Sequence, residues 1–207
     1  MKRILHATFL LAFACAAFVA FSTVAQAQKV DVGFGMSTIL APSANGYLGE
    51  NNGHEPVSQA GGLYPGFSGD VLFWHNVGLG GEIFWRGSQL NYGSQLNLPV
   101  RPIFYAFNGV YSPKIANHTY LEVVAGIGAQ STRQYCGASC YDPYTNTTFV
   151  SDTHFMGDFG GGIKFYPWGG LFIRPEARVY LINNNLLFSS NHAIRVGASI
   201  GYTFGRH

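Results

Sequence analysis

The strongest constraint on what this chain can fold into is the alternation of its closing stretches. Leu171 to Ile182 reads LFIRPEARVYLI; with a period of two it sets Ile173, Pro175, Ala177, Val179 and Leu181 against Arg174, Glu176, Arg178 and Tyr180. Ala193 to Phe204 repeats the pattern, with Ile194, Val196, Ala198, Ile200, Tyr202 and Phe204 opposite Arg195, Gly197, Ser199, Gly201 and Thr203. Side chains that change character at every step belong to strands standing between two different environments. The apolar face meets either a protein core or a lipid bilayer.

The start of the chain narrows the choice. Lys2 and Arg3 precede an apolar run from Phe9 to Phe21, and the segment ends in Ala25-Gln26-Ala27. This is the build of a secretory signal peptide with a small-residue cleavage site. Cleavage is expected between Ala27 and Gln28, so that residues 1–27 are a leader and residues 28–207 one exported domain. The apolar run falls short of the roughly 20 residues a spanning helix needs.

Charged residues make up only 11% of the chain, against about 25% in ordinary soluble proteins. Aromatic residues reach 15%, there are 27 glycines, and no stretch carries the period of a long amphipathic helix. Such a composition suits a sheet whose outer face is not in water. The net charge of +2 and the lack of any Lys/Arg run leave a nucleic-acid partner without electrostatic support.

Eight alternating segments follow one another: Lys29 to Thr38, Leu63 to Trp74, Val77 to Arg86, Val100 to Tyr111, Thr119 to Ser131, Thr153 to Tyr166, Leu171 to Ile182 and Ala193 to Phe204. Their connections run long, short, medium, short, long, short, medium, the tightest being His75-Asn76, a hairpin turn. In an up-and-down meander this gathers the long loops at one end and the short turns at the other, as in outer-membrane barrels. Segments of about 10 residues suit tilted transmembrane strands, and closure pairs every backbone group within lipid. The predicted fold is therefore all-β: an eight-stranded antiparallel up-and-down transmembrane β-barrel with long extracellular loops and short periplasmic turns. The fourth segment leaves its register open: Ile103, Tyr105 and Phe107 outside with Ala106 and Asn108 inside, or the reverse.

The polar faces, turned inward, collect Asp31, Asp70, Glu82, Glu122, Asp158 and Glu176 with Arg86, Lys164, Arg174, Arg178 and Arg195. An eight-stranded barrel has room inside for side chains and little more. Unpaired buried charge costs several kcal/mol, so these groups are expected to pair into a network that plugs the lumen.

The RPEARVY run at Arg174 to Tyr180, the turn-strand FYPWGGLFIRPE at Phe165 to Glu176 and the closing GYTF resemble the bacterial outer-membrane β-barrel superfamily. That group includes the transmembrane domain of outer-membrane protein A and the opacity-type proteins. Arg195, Gly197, Ile200 and Tyr202, with Phe204 two further on, match that group's C-terminal insertion signal, although Gly205-Arg206-His207 displace the usual terminal aromatic. The resemblance implies the outer membrane as location, its lipids as surroundings and the barrel assembly machinery as a partner during biogenesis.

For function, the sequence favours a structural or surface-interaction role. The alternatives are a channel for a small solute or hydrophobic ligand, a soluble lipocalin-like barrel with the two faces exchanged, and an outer-membrane lipid-modifying enzyme. For the last, Ser189, Ser190, Asn191 and His192 are neighbours, but not in the His-x-Ser-Asn order of the lipid A deacylases, and such residues are common turn formers. No catalytic residue is assigned. His54, His75, His118, His154 and His207 lack the spacing of convergent metal ligands, and no glycine motif for a nucleotide precedes a helix, so neither metal nor cofactor is expected. Cys136 and Cys140 are expected to form a disulfide in the third outer loop, a long one, as an exported compartment allows. It would hold Tyr135, Tyr141 and Tyr144 either where an extracellular surface ligand meets them or as part of the outer aromatic girdle.

Overall fold

The computed structural model describes residues 29–42, 58–92, 98–136, 140–141, 143, 146–185, 188 and 190–205. The expected leader with its Ala27-Gln28 boundary, and His54, Tyr144, Ser189 and His207, lie outside the described residues. Among the described residues there are ten strands: β1 (Lys29–Leu40), β2 (Gly61–Trp74), β3 (Val77–Trp85), β4 (Leu90–Tyr92), β5 (Leu98–Tyr111), β6 (Lys114–Ala116), β7 (Thr119–Tyr135), β8 (Phe149–Trp168), β9 (Leu171–Ile182) and β10 (His192–Phe204). Eight of them form a closed antiparallel ring in the order β1, β2, β3, β5, β7, β8, β9, β10, and β10 returns to β1 from Val30↔Phe204 to Leu40↔Ile194. The other two are short additions at the rims, β4 pairing with β5 and β6 with β7. The fold is therefore a closed eight-stranded all-antiparallel barrel, and no α-helix occurs among the described residues.

The strand ends joined through 41–60, 86–97, 136–148 and 183–191 lie at one rim, and those joined through 75–76, 112–118 and 169–170 lie at the other. The β7–β8 hairpin is longer than its alternation suggests. It pairs up to Tyr135↔Phe149, well past Ser131↔Thr153, because strands that rise above an apolar band need not alternate. In β5, Tyr105 and Phe107 point outward while Phe104, Ala106 and Asn108 are buried inside, which resolves the open register.

The outer wall is a belt of apolar side chains turned away from the barrel, including Val32, Phe67, Leu79, Phe107, Ile127, Phe155, Ile173 and Ile200. So large a continuous apolar surface is unusual on a soluble monomer.

The β2–β3 turn places His75 at φ 45° and Asn76 at φ 66°, two consecutive left-handed residues. Asn76 also accepts the Ser112 backbone N–H at 2.8 Å, tying two short turns together through a main-chain bond that any residue supplies. Asn76→Gly keeps that bond and removes the Cβ penalty, so it should stabilise the barrel by about 0.5–1 kcal/mol in equilibrium unfolding.

Candidate functional site

Four cations and six carboxylates converge in the lumen, and all ten are at least nine-tenths buried. Lys164 on β8 points its ammonium at Asp31 of β1, Asp70 of β2 and Glu122 of β7, with Nζ 3.4 Å from Asp70 Oδ2. Beside it, Arg174 on β9 sends Nη1 to Glu122 Oε1 at 2.8 Å and to Asp70 Oδ2 at 3.4 Å. Its Nη2 donates to Ser68 Oγ at 2.7 Å and its Nε to Ser199 Oγ at 3.1 Å. A second knot lies further along the axis. There Arg178 Nη1 meets Asp158 Oδ2 at 3.1 Å, Arg195 Nη2 meets Glu82 Oε2 at 2.8 Å, and Tyr180 donates its hydroxyl to Glu82 Oε1 at 2.9 Å. Glu176 joins the two knots, reaching Arg174 Nε and Arg195 Nη1 at 3.1 Å each. One continuous lattice of charge thus ties seven of the eight ring strands, all but β5, across the interior.

Apolar layers bound this lattice at both ends. Toward the short-turn rim, Leu72, Val110 and Val124 form one buried cluster on a single cross-strand row. Toward the loop rim, Ile39, Tyr64, Phe104, Met156, Tyr180 and Ile182 form another, with Phe104 stacked on Tyr180 at 5.1 Å. Two further aromatic rings lie among the charges. Phe84 sits under the Arg195 guanidinium at 3.6 Å, and Phe172 lies between Lys164 and Arg174. These rings fit because glycines face them: Gly35 and Gly66 abut Phe84, and Gly33 and Gly201 abut Phe172. Sequence reasoning that put only polar residues inside missed the rings, although pairs of inward glycines on neighbouring strands are the signal for a large side chain between them.

The remaining expected site residues fall elsewhere. Arg86 lies just past β3 with its guanidinium near Tyr64 and Gly62; no carboxylate is within ion-pair distance of it among the described residues. Cys136 and Cys140 are joined by a disulfide with a Cα–Cα distance of 5.6 Å. Arg195, Gly197, Ile200, Tyr202 and Phe204 all lie on β10, but they do not share a face: Arg195 points into the lumen, while Ile200, Tyr202 and Phe204 point out. Ser190 and His192 come together, Oγ to Nδ1 at 2.9 Å, yet the same Oγ accepts the His192 backbone N–H at 3.1 Å. That is a local turn bond at the entry to β10, and no carboxylate is within ion-pair distance of the imidazole among the described residues. No group of three or more His, Cys, Asp or Glu among the described residues is placed to hold a metal ion.

No protein-family model matches the sequence, and a search of curated proteins finds no match. Solved structures do match in shape. Neisserial surface protein A superposes with a TM-score of 0.56 at 8% identity, covering 86% of this chain and 97% of its own. Ail, the attachment invasion locus protein of Yersinia pestis, solved with the heparin analogue sucrose octasulfate, gives 0.51 at 12% identity over 86% and 99% of the two chains. The N-terminal β-barrel domain of Pseudomonas aeruginosa OprF gives 0.51 at 13%, over 86% and 98%. At such identities the likeness is one of fold: this chain has the architecture of the eight-stranded outer-membrane barrels.

Proposed function

We propose that the chain is an integral outer-membrane protein whose barrel is a sealed, rigid scaffold presenting four long loops at the cell surface. In this reading the leader 1–27 is removed between Ala27 and Gln28, residues 28–207 form the barrel, and the assembly machinery reads Arg195 to Phe204 on β10. The barrel carries no catalytic role. Its function is structural and interactive, the loops meeting an extracellular surface, with the disulfide-bonded segment around Tyr135 and Tyr141 as one point of contact.

The observation that carries the sealed-lumen reading is the ion lattice itself. Lys164 and Arg174, both buried in the lumen, are held by carboxylates and hydroxyls, with an apolar cluster toward either rim. An ion crossing the lumen would have to break these contacts and leave buried charges uncompensated. Reconstituted in a planar bilayer at high salt, the purified protein should show no stepwise conductance. Regular, reproducible steps would replace the sealed scaffold with the solute-channel reading.

A further inference from the structure

The outward face of the β5–β7–β8 segment carries a feature that neither the lumen nor the loops use. Arg101 on β5 and Arg133 on β7 stand directly opposite each other in the ladder, and Arg133 is in turn opposite Ser151 on β8. Their inward neighbours Val100, Pro102, Phe104, Gln130 and Thr132 are buried in the barrel, so the two arginines belong to the outer wall. Like charges directly across a ladder repel. Among the described residues neither arginine takes part in an ion pair with a carboxylate, and the buried Nε of Arg101 has no hydrogen-bond partner among them.

The surroundings prepare the pair for an anion. Arg101 lies 5.8 Å from the Tyr135 ring and Arg133 4.8 Å from the Phe149 ring, contacts that hold both guanidiniums along the wall. One row nearer the middle of the barrel, Thr153 donates to Ser131 at 3.2 Å and adds two hydroxyls beside the cations. Below that row come Tyr105, Phe107, Ile127 and Phe155, the exposed apolar belt. The cations therefore stand where the belt gives way to the loop rim.

We infer that Arg101 and Arg133 form a binding site for the phosphate group of a phosphorylated lipid in the outer leaflet. Guanidinium forks match phosphate oxygens in bidentate geometry. A lipid suits this place better than a soluble anion, because the belt beneath the arginines receives the acyl chains of the same molecule. The inference rests on the outer-membrane reading.

The test uses the full barrel folded in octyl glucoside, a detergent without phosphate, titrated with diphosphorylated lipid A and followed by tryptophan fluorescence. Saturable binding is expected, and it should weaken at least about tenfold in Arg101→Gln/Arg133→Gln, which loses both charge-assisted contacts. Arg101→Lys/Arg133→Lys, keeping charge without the fork, should bind between the two. A glutamine pair that is folded by circular dichroism and binds like the parent overturns the site. So does equal binding of dephosphorylated lipid A. Inorganic phosphate at matched concentration competing as well as the lipid overturns the lipid assignment, as would binding of a sulfated polysaccharide in its place. A protein that stays monodisperse without detergent overturns the membrane reading, a failure distinct from these.

Discussion

Replacing Arg174 with methionine should lower the unfolding free energy by about 3–5 kcal/mol, the usual cost of leaving buried charge without its partner. Arg174 is the most connected cation of the lumen, touching Asp70, Glu122, Glu176, Ser68 and Ser199. Without it, Lys164 alone faces Asp31, Asp70 and Glu122. The size and shape of methionine leave the packing nearly intact, so the loss reports charge rather than volume. Equilibrium unfolding in urea with the protein in micelles reads the change. Adding Glu122→Gln to Arg174→Met should restore part of the loss, since one stranded carboxylate is then neutral. A midpoint equal to that of the parent would mean that water, and not the lattice, satisfies these groups.

The second large effect is expected at Phe172, where truncation to alanine should cost about 3–5 kcal/mol. The ring is 1% exposed, lies 5.9 Å from the Tyr166 ring, and fills the space left by Gly33 and Gly201. It also keeps water from the contacts of Lys164 and Arg174, whose cationic groups lie 5.4 and 5.9 Å from its centroid. Alanine opens a cavity and hydrates two ion pairs at once. The same urea titration checks it, and a loss under about 1 kcal/mol would show the site collapsing or filling with water at little cost.

The fold was legible in the sequence because an apolar outer wall and a polar lumen impose opposite demands on successive side chains. Wherever that contrast operates, as in β9 with its outward Ile173 and inward Arg174, the strands fall where alternation puts them. It weakens in β5, where Phe104 inside stands between Ile103 and Tyr105 outside and three apolar residues in a row hide the period. It vanishes at the loop rim, so the extension of β7 and β8 to Tyr135 and Phe149 left no trace in the pattern. Within the lumen, charges could be collected by face but not paired: the meeting of Lys164 with Asp31, or of Arg195 with Glu82, depends on the stagger of the ring, which local sequence does not encode. The apolar end layers were invisible for a related reason. Leu72, Val110 and Val124 look like misplaced residues in three separate strands until the register brings them onto one row.

The join of β10 to β1 carries a further consequence. A sheet with free edges can fray from its outermost strand, breaking one ladder at a time; here each ring strand is held by two ladders, and even the first and last are held by each other. Backbone amides along the ring therefore have no weak margin from which solvent exchange could spread inward, and opening at any strand must break two ladders together. Slow and nearly uniform hydrogen exchange through the doubly paired parts of all eight ring strands, with faster exchange at the connections and over residues 149–154 of β8, which pair with β7 alone, is the behaviour such a ring should display.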